Sequence, residues 1–318
     1  MEYRKIISFG KSSYIISLPK AWVKQQKLEK GDLVGIDEEG PRLIVNAKPD
    51  SEKESIEEET IIEVNGKNNA YLAKKTFTAY VRNHHKITFR GSEIKNKVKD
   101  IQRITQSLIA LEIMEQTQDT IVARDFLDMN TVIIKELVRK MDIVTRTMMT
   151  EAKINLSEED YENLNNRDKD VNRLYFLLYR VVLFSIQNPM KAMKNQKMDI
   201  IQLIKTHSVG FYIEKVADEA KRTARFSKKI KAKKEIINKF NTILEEIQNY
   251  YVQTMKAVYN KDQELALELS EKGSKLGNKI SMFENEVENF NEWSKIICRV
   301  KRQAVMIRKL GQAVYTLY

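Results

Sequence analysis

The sequence predicts a multidomain α+β protein: a small β-rich domain at the N-terminus, a small α+β unit after it, and an all-α bundle occupying the C-terminal part. Three observations predict it. Three of the four prolines and four of the ten glycines lie at or before Pro49, and Pro189 is the only proline beyond. Short extended runs separated by turn residues fill the early part of the chain. From about Asp125 to Tyr318, apolar residues instead recur every three or four positions, the period of a helix. The 318 residues, at roughly 100–200 per domain, suit two or three domains.

In the first zone, 1–48, four strands are expected at Ile6–Phe9, Tyr14–Leu18, Leu33–Ile36 and Arg42–Val45. Gly10 to Ser13 turns the first pair and Glu39-Gly40-Pro41 the last. Pro19 opens a short helix, Lys20 to Gln26, because proline is tolerated in a first helical turn. Ser51 to Glu63 then carries six glutamates against Lys53, a net charge of −5, and reads as a linker merging into a strand. The second zone, 51–124, alternates strand (Ile61–Val64), helix (Ala70–Asn83), strand (Lys86–Phe89) and helix (Ser92–Ser107). Extended runs at Leu111–Glu115 and Thr120–Ala123 complete it. The third zone, 125–318, breaks at Asn155–Ser157, Asn188-Pro189, Lys228–Lys234, Asn260–Asp262 and Glu286–Asn291, giving about six helices. Bars of roughly 40 Å are stable in water only side by side. The halves 125–230 and 234–318 are each read as three helices, which suggests an internal duplication.

Composition narrows the function. A net charge of +11 and a pI near 9.3 favour a polyanionic partner such as nucleic acid, phosphate or an anionic membrane surface. Cys298 is the single cysteine, so neither an internal disulfide nor a thiolate-built metal site is open to the chain, and it reads as a buried thiol in a reducing compartment. No apolar run approaches the length of a membrane span and the first residues lack a signal-peptide core, so a cytoplasmic protein, not membrane-inserted, is expected.

Basic residues concentrate early. From Tyr3 to Lys30, Arg4, Lys5, Lys11, Lys20, Lys24, Lys27 and Lys30 stand against Glu29, a net +6 that suits phosphate contacts. Together with Gly10, Tyr14 to Leu18, Pro19, Trp22-Val23, Leu28 and Lys30 to Val34, this run resembles the SpoVT/AbrB family. The resemblance implies two chains exchanging hairpins into one homodimeric swapped-hairpin β-barrel. Its basic face would bind DNA through Arg4, Lys5, Lys11, Lys20 and Lys24. The alternative is a module that only dimerises. Gly10-Lys11-Ser12 is not a phosphate loop, because Lys5 stands where the pattern requires glycine.

In the helical zone two four-residue steps, Asp168 to Asn172 and Glu214 to Asp218, place paired side chains on one helix face where they could converge on an ion. The stretches 170–180 and 212–220 around them resemble the two signature helices of the PhoU family, over 125–318. That resemblance implies two three-helix repeats and a metal site at Asp168, Asn172, Glu214 and Asp218 for a divalent or ferric ion, iron, zinc or magnesium. Asn172 departs from it by replacing a carboxylate with a neutral amide. In the second half Lys275 and Val305 stand where acids would be expected, and Arg299, Lys301, Arg302, Arg308 and Lys309 make a basic last helix, read as a solvated face.

Catalysis finds little support. His84, His85 and His207 form no ligand pair, and the positions three after Asp168 and Glu214 are Val171 and Ala217, not the histidines of a di-iron site. Tyr175, Phe176, Tyr179, Phe211 and Tyr212 read as core knobs. No general base, nucleophile and open metal position converge, so no enzyme is expected. A hairpin module, an α+β unit and a PhoU-like bundle in one chain are together similar to the archaeal phosphate uptake regulators. This implies a dimeric DNA-binding regulator of phosphate homeostasis whose bundle senses a ligand or docks a partner. The alternative is a cytoplasmic inhibitory partner of phosphate transporter subunits.

Overall fold

The computed structural model describes residues 3–39, 42–47, 59–154, 156–228, 230–287 and 290–316. The chain divides into two compact units, Met1–Glu57 and Glu58–Tyr318. The Gly40-Pro41 turn and all but the end of the acidic linker lie outside the described residues.

In the first unit β1 (Ile7–Phe9) and β2 (Ser13–Ile15) pair antiparallel, with Ile7 opposite Ile15. The strand expected over Tyr14–Leu18 stops at Ile15, so Ile16 to Leu18 run on without a ladder partner among the described residues. Pro19 caps α1 (Lys20–Gln25), its carbonyl accepting from Val23 N at 3.1 Å. β3 (Gly35–Glu39) and β4 (Arg42–Asn46) form a second, separate antiparallel pair.

The second unit opens with a mixed four-stranded sheet, order β5-β6-β8-β7, built from β5 (Glu59–Glu63), β6 (Lys86–Arg90), β7 (Leu111–Gln116) and β8 (Thr120–Asp125). β5 and β6 are parallel and therefore need a crossover, which α2 (Asn69–Val81) supplies; its first turn is capped by Asn68 Oδ1, accepting from Tyr71 N at 2.9 Å. The remaining pairs are antiparallel, and α3 (Ile94–Gln106) leads into β7. Alternation along β6 sends Ile87 and Phe89 into a core with Ile62, Ile121, Leu72, Tyr80, Ile94 and Ile101.

Among the described residues seven helices follow: α4 (Ile134–Glu151), α5 (Glu158–Gln187), α6 (Pro189–Gln196), α7 (Ile200–Ser227), α8 (Lys234–Asn260), α9 (Gln263–Glu286) and α10 (Phe290–Tyr315). The extra helix is α6, which Pro189 restarts directly after α5. The helical zone also begins later than Asp125, because Asp125 closes β8 and a turn at Asp128–Thr131 intervenes. Three of the starts have a local cause. Ser157 and Asp160 form a capping box on α5, Asp199 and Gln202 one on α7, and Asp262 caps α9. Buried Gln196 pins the start of α4, accepting from Ile134 N at 3.0 Å and donating to Val132 O at 2.7 Å.

α4, α5 and α7 pack on one another, as do α8, α9 and α10; the triplets meet along α7 and α10, with a smaller α4–α8 contact. A side chain at Gly210 would collide with Leu178, so this glycine lets α7 approach α5 closely. α5 also belongs to the sheet. Phe176, Tyr179 and Leu183 pack on the sheet core, with Phe77 and Phe176 ring centroids 4.7 Å apart. One turn along, the fully buried Arg180 pairs with both oxygens of fully buried Asp125 and donates to Asn83 Oδ1 at 2.6 Å, its guanidinium 4.3 Å from the Tyr80 ring centroid. The α+β unit and the helices thus form one body.

Removing one partner of a buried ion pair strands the other, so Asp125→Ala should cost about 3–5 kcal/mol. Urea unfolding checks this, and Asp125→Leu combined with Arg180→Met should recover most of the loss.

Candidate nucleic-acid interface and bundle carboxylates

The basic residues expected to meet DNA are all exposed in the first unit. Arg4 and Lys5 lead into β1, Lys11 sits in the β1–β2 turn, and Lys20 and Lys24 share a face of α1 one turn apart. Beside them the unit exposes what a domain ordinarily hides. Ile6, Ile7, Phe9, Tyr14, Ile15, Ile16, Leu33, Ile36 and Leu43 are all exposed, Tyr14 at 77% and Leu33 at 77%, and no described residue of the unit is buried. Burying one such side chain is worth about 1.5–3 kcal/mol. Two short hairpins and a helix of six residues supply no layer to do it. The sequence marks these residues as strand, but their exposure follows only from the two pairs lying in separate sheets.

The bundle brings Asp168 and Asp218 together, around a cation from the chain itself. Lys221 on α7 pairs with Asp168 Oδ2 and lies 3.4 Å from Asp218 Oδ1, while Arg222 takes Asp218 Oδ2 at 2.6 Å. Asn172 supports the first carboxylate, its amide donating to Asp168 Oδ2 at 3.1 Å and to Asp168 O at 3.0 Å. Glu214, buried one turn before Asp218, has Lys215 Nζ 2.8 Å from its Oε2. Burial raises the Asp168 carboxyl above the usual range, opposed by Lys221, and burial raises Glu214, opposed by Lys215 and reinforced by Asp218 and Asp168. A hard cation needs free carboxylate oxygens. Each of these carboxylates stands beside a lysine or arginine of the chain, while the buried Glu214 Oε2 has no hydrogen bond, and among the described residues no group of three metal-ligating side chains occurs.

The basic last helix is only in part a solvated face: Arg302 and Lys309 are exposed, but several of its cations meet acids. Arg299 and Arg302 each reach within 3.6 Å of buried Glu219, which also takes Arg222 at 2.9 Å, and Lys301 pairs with Glu284. The Glu219 contacts tie α10 to α7, and the Lys301–Glu284 pair ties it to α9. Glu219 was invisible as a hub in the sequence because the four-residue spacing draws the eye to Asp218. Cys298 is exposed rather than buried, since the packed face of α10 runs through Ile297, Val300 and Ala304. The three histidines are half-buried; burial lowers the His207 pKa, and its Nε2 lies 3.4 Å from Tyr175 Oη. Of the aromatic knobs, Phe176 and Tyr179 serve the sheet core and Tyr175 and Tyr212 the helical one.

Residues 7–54 match the family model described as antidote-toxin recognition MazE, bacterial antitoxin. No curated protein and no solved structure matches the chain. Fold and match define a class: a multidomain protein with a small strand-built domain, similar to the MazE antidote domain, ahead of a large, mostly helical unit. Among the described residues no helix is long and apolar enough to cross a membrane.

If Lys221 excludes metal, wild-type protein should show no change in melting temperature between chelator and added magnesium, zinc or iron, whereas Lys221→Ala, which takes the cation away from Asp168 Oδ2, should be stabilised by metal. Thermal melts in parallel check both.

Proposed function

We propose that the protein is a homodimeric DNA-binding regulator, with phosphate uptake as its field of action and the helical unit as its sensing or partner-docking part. The observation that carries the dimer is the uncovered apolar surface of the first unit. A second copy is the occupant that fits it, because each hairpin offers unpaired strand edges and an apolar face, and two copies exchanging hairpins cover both. The charge beside that surface supports DNA: Arg4, Lys5, Lys11, Lys20 and Lys24 are exposed, long, and gathered within 21 residues of sequence. The match to an antidote domain overlaps the residues that carry the resemblance to the SpoVT/AbrB family, which implies a paired, DNA-holding module.

The phosphate assignment rests on the resemblance of 170–180 and 212–220 to the PhoU signature helices, and the arrangement of α4, α5, α7 and α8, α9, α10 as two triplets is in keeping with it. Lys221, Arg222, Arg299 and Arg302 hold the acidic residues of α7, so this bundle is read as a pre-set joint between triplets and not as a metal-loaded one. The reading is of a regulator and not of an enzyme. A second reading is favoured by the description of the matched family: the apolar surface of the first unit docks a toxin-like partner protein.

Retention of fragmented genomic DNA across a salt series tests the proposal. Wild type should run as a dimer in sedimentation and hold DNA with an affinity that falls steeply with salt. The Arg4→Ala/Lys5→Ala/Lys11→Ala variant should remain dimeric and lose roughly three units of salt slope at about 0.9 per phosphate contact. Salt-insensitive retention, or a variant that retains DNA like wild type, rejects the DNA surface and moves the assignment to the protein partner.

A further inference from the structure

The second triplet carries an open counterpart to the closed, self-neutralised carboxylates of the first. α8 and α9 leave a cleft of about 370 Å³ between them, lined by Asn249, Tyr250, Glu246, Lys272, Lys275 and Lys279. The three lysines stand at i, i+3 and i+7 on one face of α9 and span about 10 Å of helix at 1.5 Å per residue. Lys279 is held by Glu246. Among the described residues Lys272 and Lys275 have neither an ion pair nor a hydrogen bond, although Glu268 and Glu271 each lie four positions before one of them. The floor is a donor too. Gly273 lets the Tyr250 ring rise between the lysines, since any side chain there would collide with the Tyr250 hydroxyl. Burial pushes that phenol up to about 12, so it stays protonated and able to donate.

We propose that this cleft binds a short linear chain of phosphoryl groups, of the kind found in inorganic polyphosphate. Lys272 and Lys275 make the charged contacts, and the Asn249 amide and Tyr250 hydroxyl supply neutral donors. Lysine ammonium groups act as point charges toward phosphoryl oxygens and need no planar partner. Lys272 and Lys275 lie one turn apart on α9 while Asn249 and Tyr250 stand on α8, so an anion of several phosphoryl groups engages donors on both walls at once where orthophosphate engages fewer. The cleft has no room for a nucleic-acid duplex, and no described aromatic face is offered to a base except the buried edge of Tyr250. Glu246 sits at the Lys279 end and confines the anion to the end where Lys272 and Lys275 are free.

Titration calorimetry of the full chain with tripolyphosphate at low salt tests the assignment, with orthophosphate and adenosine triphosphate as parallel ligands. Tripolyphosphate should bind one per chain and weaken as salt is raised. Lys272→Gln/Lys275→Gln should weaken it by about tenfold or more, the loss of charged hydrogen bonds, with the melting temperature unchanged. The Arg4→Ala/Lys5→Ala/Lys11→Ala variant should bind it like wild type, which separates this site from the DNA surface. Absence of binding, or equal binding by the double lysine variant, overturns the site. Orthophosphate binding as tightly as tripolyphosphate overturns the extended ligand. Adenosine triphosphate binding much more tightly than tripolyphosphate assigns the cleft to a nucleotide and overturns the polyphosphate source.

Discussion

The buried pairing of Arg180 with Asp125 is the contact on which the second unit turns. A guanidinium with no solvent exposure is tolerated only where oxygen acceptors and an electron-rich face surround it. The acceptors come from the end of β8 and from Asn83 in the loop after α2, and the face from Tyr80. Each is contributed by the sheet side, while the arginine belongs to the bundle. α5 is therefore an element of both layers, and its rotation about its own axis is set by the sheet. That rotation decides which side of α5 meets α7, and it sends Asp168 and Asn172, two to three turns earlier, toward Lys221.

The first unit shows the opposite economy. Where the second unit closes two apolar clusters, the first leaves large aliphatic and aromatic side chains in water on strands of three to five residues. Hairpins of that size are marginal alone. Stability of the domain and its association are then one equilibrium, so a dimer would be a condition of folding and not a later event. On the proposed reading, a surface shared between copies would also set two basic patches at a spacing fixed by the pairing, as contacting a duplex at two places requires.

Much of this was legible in the sequence, because helix ends and strand alternation are written locally. Pro189, Ser157 and Asp262 each announce a boundary by the bond they make or lack, whereas Asp199, which caps α7, lies inside a stretch read as continuous helix. The start of α4 was hidden by Phe126, Leu127, Met129 and Val132, whose spacing imitates a helix although Asp128 turns the chain. The convergence of Asp168 and Asp218 could be anticipated from their spacing, but its occupant could not. Lys221, three residues beyond Asp218, looks like an ordinary surface partner until α7 is rotated against α5. Arg299 and Arg302 likewise read as a solvated stripe because their partner, Glu219, lies on another helix 80 residues earlier.

The two triplets use the same architecture with inverted charge. In the first, acidic side chains face inward and are neutralised by lysine and arginine of the same chain, which holds α5, α7 and α10 together without an outside ion. In the second, the cations on α9 outnumber the acid they face, and the surplus lies open in a cleft. Burial explains the difference. Asp168, Glu214 and Glu219 are nearly sequestered, so an uncompensated charge there would be costly and the chain compensates it internally. Lys272 and Lys275 are exposed, so their charge is tolerated unpaired in water and remains usable for an incoming anion. An anion bound between α8 and α9, as proposed, would meet charge that the chain leaves unsatisfied there, and α8 and α9 pack on α10, which packs on α7.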